Sequence, residues 1–192
     1  DPTETALVDF GDKHDMRQEQ LNERYPRIAE IPFDSERKLM TTIHRVDSRT
    51  LLIATKGGFD ELLSISTNIA DSEGTTPLSS ERRTQLSELN GDMARRALRV
   101  LCMAERRVSF ARDYTDTDVE ELSVSAESDL TFVGMVGMVD PPRLEVKDAV
   151  HTCIEAGIKP VMITGDHKIT AMAIAQQLGI MREGDSAYTG AE

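Results

Sequence analysis

The chain has 192 residues, 39% of them hydrophobic and 29% charged, with a formal net charge of −12. That length holds one full domain and a piece of another, and so acidic a balance argues against a nucleic-acid-binding face, which needs clustered Lys and Arg. Cys102 and Cys153 fall within apolar stretches and read as reduced core residues rather than a disulfide framework; no run approaches the ~20 apolar residues of a membrane-spanning helix, and there is no signal-peptide start.

In chain order, Asp1-Pro2-Thr3-Glu4-Thr5-Ala6-Leu7-Val8 reads as a helix start that Gly11 ends. Residues 13–24 have little apolar face and read as an exposed loop or weak helix. Arg27 to Phe33 rises like a strand into a dense polar turn ending at Lys38. Leu39–Val46 and Thr50–Thr55 alternate in polarity across the turn Asp47-Ser48-Arg49, which predicts an antiparallel hairpin. Lys56-Gly57-Gly58 closes the second strand, and its two glycines allow close backbone approach. Phe59 to Ile69 is predicted as a helix, Asp71 to Thr76 as a turn-rich link, and Ser80 to Arg96 as an amphipathic helix carrying Leu86, Leu89 and Met93. Leu98 to Ala104 reads as a buried strand whose Arg99 either snorkels to the edge or is held by an anion. Arg112 to Ser128 is predicted as an exposed loop with a brief helix near Val119–Leu122.

From Thr131 an apolar run ends at Pro141-Pro142 and reads as a strand that cannot continue. Val146, Ala149, Val150, Cys153 and Ile154 recur at helical spacing before Gly157. A second apolar run, Ile158 to Ile163, and a second helix, Ile169 to Leu178, closed by Gly179, complete a strand-helix-strand-helix pattern. Thr164-Gly165-Asp166 would then stand at the carboxyl end of a parallel strand and before a helix, a place where α/β sheets bind anions. The plainer alternative is that Gly165 turns the chain and Asp166 caps the helix. The expected fold is α+β: an antiparallel sheet flanked by helices over residues 1–129, then a partial βαβα segment with its hinge over 130–192.

M-V-G-M-V-D-P-P-R and A-G-I-K-P-V-M-I-T-G-D-H-K-I-T-A-M-A-I-A-Q-Q-L-G-I resemble the hinge and a phosphorylation-domain motif of P-type cation-transporting ATPases, closer to the calcium-pump and sodium-pump branch. Those are membrane pumps with a haloacid-dehalogenase-like phosphorylation domain into which a nucleotide-binding domain is inserted. The resemblance implies that 130–192 is part of that phosphorylation domain. D-P-T-E-T-A-L is similar to a family segment whose carboxylate meets adenine, which selects Glu4; a first-turn Glu facing the helix dipole is the ordinary alternative. P-F-D-S-E-R-K resembles the adenine-pocket motif, which puts Phe33 on the base and Lys38 on the pocket wall, with Arg37 shaping the turn. Without that resemblance, Phe33 reads as a core anchor. Lys56-Gly57-Gly58 resembles the family's K-G-A nucleotide motif, with Gly58 in the usual alanine place, although such a triplet also serves as an ordinary turn. A-L-R-V-L-C-M-A-E-R resembles the last nucleotide-domain strand and makes Arg99 a phosphate ligand. Asp140 and Arg143 match hinge positions that touch ribose or phosphate, and Thr164, Gly165 and Asp166 match part of the phosphoryl site.

The family's nucleophile belongs to an Asp-Lys-Thr-Gly-Thr motif, and no such stretch occurs in these residues. The expectation is an ATP-binding cytosolic portion of an integral membrane pump that does not form an aspartyl-phosphate alone. Mg2+ would accompany ATP in the full-length parent through ligands outside this chain. The expected partners are ATP and the remainder of the pump: its membrane helices, its actuator domain and the rest of its phosphorylation domain. Exposed strand edges in 130–192 predict edge-strand self-association. The competing readings are an autonomous haloacid-dehalogenase-like phosphatase, whose paired Asp nucleophile is missing around Asp140, and a soluble binding domain that takes no nucleotide.

Overall fold

The computed structural model describes residues 2–72, 74–139, 144–165, 168–182 and 184–190. By internal contacts the chain divides into one unit of Asp1–Arg83 and Leu101–Val136 and a second of Thr84–Val100 and Gly137–Glu192. The first unit opens with two helices, α1 (Pro2–Lys13) and α2 (Gln18–Arg24), neither with a fully buried side chain. The strands β1 (Arg27–Asp34), β2 (Leu39–Arg45) and β3 (Thr50–Gly57) then form an antiparallel meander. The predicted hairpin is present, with Ile43 opposite Ile53 and Thr41 opposite Thr55. The reason is visible in the alternation: Leu39, Thr41 and Ile43 on β2 and Leu51, Ile53 and Thr55 on β3 point into the core, and their neighbours point out.

After β3 the helix α3 (Phe59–Ser64) is shorter than predicted, and strands β4 (Ser66–Asp71) and β5 (Gly74–Pro77) replace the rest of the expected helix and the turn-rich link. The helix stops because its last carbonyls are taken by side chains. Ser66 Oγ donates to the Leu62 carbonyl at 2.8 Å, and Arg83 donates to the carbonyls of Leu63 and Ser66, both at 2.6 Å. The chain is then free to pair β4 with a strand far along the sequence. Helix α4 (Ser80–Arg95) leads to β6 (Arg99–Ser109), longer than its predicted apolar heart. Helix α5 (Asp116–Val124) starts on a capping box, in which Asp118 accepts from the Thr115 N–H at 2.6 Å and Thr115 Oγ1 accepts from that of Asp118. Strand β7 (Leu130–Met138) completes a seven-stranded sheet in the order β1-β2-β3-β6-β7-β4-β5. It is mixed rather than purely antiparallel, because β4 runs parallel to β7. Its core gathers Ile43, Leu51, Ile53, Leu62, Cys102, Leu130 and Phe132, each almost fully enclosed. Burial pushes the Cys102 thiol up to about 12, helped by the nearby charge of Asp60, so it is inert core.

In the second unit the predicted helices form as α6 (Leu144–Glu155) and α7 (Lys168–Leu178). Both end on the expected glycines. Gly157 and Gly179 have φ of 76° and 75°, and Ile158 and Ile180 donate back to the carbonyls of Cys153 and Ala175, at 2.9 Å in both cases. The strand expected over 158–163 does not form. Among the described residues no strand pairs with this run, and Val161 and Ile163 are 74% and 93% exposed. A parallel strand needs neighbours for its backbone groups, which an apolar run cannot supply by itself. The expected βαβα segment is therefore represented by β7, α6 and α7, without a second strand.

Candidate functional site

The site residues read from the first half of the sequence converge on the β1–β2 turn and the end of β3. Asp34 organises that turn: its Oδ1 accepts from the backbone N–H of Glu36 at 2.9 Å and of Arg37 at 3.0 Å. These bonds, the Arg37 amide first, hold its carboxyl below the ordinary value of 3.8. The Lys38 N–H closes the turn on the Asp34 carbonyl at 2.7 Å, which puts Lys38 in the left-handed region at φ 53°. Arg37 fastens the turn to the body of the unit. It donates to the Pro32 carbonyl at 2.8 Å and forms an ion pair with Glu127, whose Oε1 also accepts from Thr41 Oγ1 at 2.9 Å. Thr41 in turn shares a 2.9 Å bond with Thr55. With its neighbours so held, Phe33 presents its ring outward, 64% exposed. It is no core anchor.

The two glycines after Lys56 are explained by the same turn. Gly57 lies opposite Leu39, and a Cβ there would collide with the Lys38 carbonyl and stand 2.6 Å from Leu39 Cδ2. Gly58 donates its N–H to the Lys38 carbonyl at 3.1 Å, and a Cβ on it would strike Glu61 Oε2. Lys56 occupies the outward face of β3, in register with Met40 on β2 and Met103 on β6, and ion-pairs with Glu4 of α1. Lys38 Nζ pairs with Glu61 Oε1 at 2.6 Å. That hydrogen bond raises the Lys38 ammonium above its ordinary value. Burial pushes Glu61 up, but the bonds from Lys38 and from its own N–H outweigh it and leave the carboxyl lowered.

Glu4, Phe33, Lys38, Lys56 and Gly57 are thus gathered at one end of the sheet, linked through the turn and α1. An exposed ring at the same end of the sheet as two ammonium groups suits a planar base joined to an anionic group. Arg99 is exposed at the start of β6 in the second unit. Thr164 and Gly165 lie in exposed, irregular chain ahead of α7 rather than at the strand end expected for them. Asp140, Arg143 and Asp166 lie outside the described residues. Two surface concavities share no residue with this cluster: one of about 460 Å³ lined by Lys147, His151, Ile154 and Arg182, the other of about 310 Å³ lined by Arg45, Tyr114 and Glu120.

A family model described as P-type ATPase, cytoplasmic domain N, matches residues 1–145. The chain belongs to this family. Relatives of the P-type cation ATPase domain include Calcium-transporting ATPase 1 of Bacillus cereus, 43% identical over 95% of this chain and 20% of the relative. Calcium-transporting ATPase 1 of Lactococcus lactis is 41% identical over the whole chain and 21% of its own length. The sodium/potassium-transporting ATPase subunit alpha of Tetronarce californica is 38% identical over 96% of the chain and 18% of its own length. The chain spans about a fifth of the length of these relatives. No helix among the described residues of this P-type ATPase domain is long and apolar enough to cross a membrane. Two carboxylates in the site escaped the sequence reading. Glu127 falls in the segment read as exposed loop, yet its side chain is only 17% exposed; Glu61 was submerged in the periodicity of α3.

Proposed function

We propose that this chain is an ATP-binding portion of a P-type cation pump of the calcium-transporting or related type. In the full-length protein it would deliver the γ-phosphate of ATP, with its Mg2+, to a catalytic aspartate outside this chain and so drive ion transport. Residues 1–129 would serve as the nucleotide-binding section and 130–192 as part of a haloacid-dehalogenase-like phosphorylation domain. The observation that carries the reading is the outward ring of Phe33 on a turn pinned by Asp34 and Arg37. An aromatic ring held outward by a pinned turn offers a face on which a planar base can stack. Lys38 and Lys56 supply positive charge at the same end of the sheet, and Glu4 supplies an acceptor for an exocyclic amine. Arg99, Asp140, Arg143 and the Thr164-Gly165-Asp166 group would meet ribose and phosphate in the assembled pump, whose membrane helices, actuator domain and remaining phosphorylation domain are the partners.

Titration with ATP in the absence of magnesium, followed by amide NMR shifts, tests this. The expected perturbations fall at Glu4, Phe33, Lys38 and Lys56. Phe33→Ala is expected to weaken binding about five- to 150-fold, the equivalent of ~1–3 kcal/mol of stacking, and Lys56→Ala to weaken it as well. Unchanged spectra at millimolar ATP would reject nucleotide binding while leaving the family assignment intact.

A further inference from the structure

Glu61 places a carboxylate 2.6 Å from the ammonium of Lys38, a residue that the nucleotide reading assigns to a polyanion's pocket. The two partners are held unequally. Glu61 projects from the first turn of α3, a helix anchored by the buried side chains of Phe59, Leu62 and Leu63, and its side chain is 27% exposed against 58% for Lys38. The carboxylate is therefore the more enclosed member, and the lysine tip is the one more open to another anion. Gly58 makes room for this arrangement, because any Cβ there would meet Glu61 Oε2. The glycine that stands where the K-G-A pattern has alanine is thus coupled to the position of Glu61.

We propose that Glu61 sets the affinity of this site by competing with the nucleotide for Lys38, and that Gly58 permits the competition by admitting the Glu61 carboxylate beside it. The inference rests on the nucleotide reading above. Engaging the nucleotide then requires Lys38 to leave Glu61 or to share its donors beside that negative charge, and either route lowers affinity.

Binding of ATP without magnesium, measured by calorimetry on the wild-type chain and on Glu61→Gln, Gly58→Ala and Asp60→Asn, tests the proposal. Glu61→Gln keeps the size and a hydrogen-bonding end but removes the charge. Gly58→Ala keeps every charge and displaces the carboxylate; the backbone there, φ −62° and ψ 149°, accepts alanine without strain. Asp60→Asn removes one negative charge from the adjacent position and controls for the general field. Release of an exposed ion pair predicts about two- to five-fold tighter binding for Glu61→Gln, a change in the same direction for Gly58→Ala, and a smaller one for Asp60→Asn. If Glu61→Gln and Asp60→Asn change the dissociation constant equally, or Glu61→Gln weakens binding, the competition is refuted while nucleotide binding stands. If no variant binds, the nucleotide reading fails and this inference falls with it.

Discussion

Glu127 shows how much a single side chain contributes to the site without touching its outward face. It receives the Arg37 guanidinium and the Thr41 hydroxyl together, and Thr41 and Thr55 are almost fully enclosed. Glu127→Ala would remove one partner each from the Arg37 guanidinium and the buried Thr41 hydroxyl, leaving them the Pro32 carbonyl and Thr55. The expected loss is ~1–3 kcal/mol of stability, read as a lower urea midpoint. The Phe33 and Lys38 amide signals should broaden or shift as the turn loosens. A variant with wild-type stability would show that Arg37 holds the turn through the Pro32 carbonyl alone. Acid should act on the same corner. Asp34 and Glu61 have folded values below their ordinary 3.8 and 4.5, so the stability they contribute is fully present above those values and is lost as pH falls through the lowered ones. Lys38, raised above 10.5, contributes below that value and ceases to do so as pH climbs through its folded one. Urea midpoints are therefore expected to decline below about pH 4.5, and the decline should be shallower in Glu61→Gln, which removes one of the titrating partners.

At the scale of elements, local chemistry made some features legible and hid others. The β2–β3 hairpin could be read because strict alternation and a short polar turn both point to one register. The ends of α6 and α7 could be read because a left-handed terminus needs glycine. Gly157→Ala, at φ 76°, is accordingly expected to cost ~1 kcal/mol, seen as a lower melting temperature with the α6 amides most affected; an unchanged temperature would mean that α6 frays at no cost. Strand β4 was not legible. Leu62, Leu63, Ile65 and Ile69 continue a helical period, and what ends the helix is the pair Ser66 and Arg83, the second of them 20 residues from its acceptor at Leu63. Pairing then joins Ile69 to Phe132, a contact that no local window contains. The opposite error befell 158–163, where apolarity without an available neighbour produced an expected strand. Among the candidate residues, Phe33, Lys38, Lys56 and Gly57 are selected by motif resemblance, whereas Glu61 and Glu127 join them through spatial contacts that no motif encodes.

For the whole molecule these differences predict an uneven distribution of stability. In the first unit β2, β3 and β6 are hydrogen-bonded to strands on both sides and carry Ile43, Leu51, Ile53 and Cys102, all with no measurable exposure. Their amides should open only with global unfolding. In the second unit the run 158–163 lies outside any strand, with Ile158 57% exposed as well as Val161 and Ile163. Its amides should exchange close to the rate of unstructured chain, and those of α6 and α7 at intermediate rates. Hydrogen exchange followed by mass spectrometry at two protein concentrations checks this ordering and also tests the expected edge pairing between copies. Fast exchange of 158–163 at both concentrations would mean that the apolar run stays unpaired in the isolated chain. Protection that grows with concentration would mean that a second copy supplies the missing backbone partners. Protection at both, in a monomer, would instead require a strand within the chain and overturn the reading of this segment as irregular.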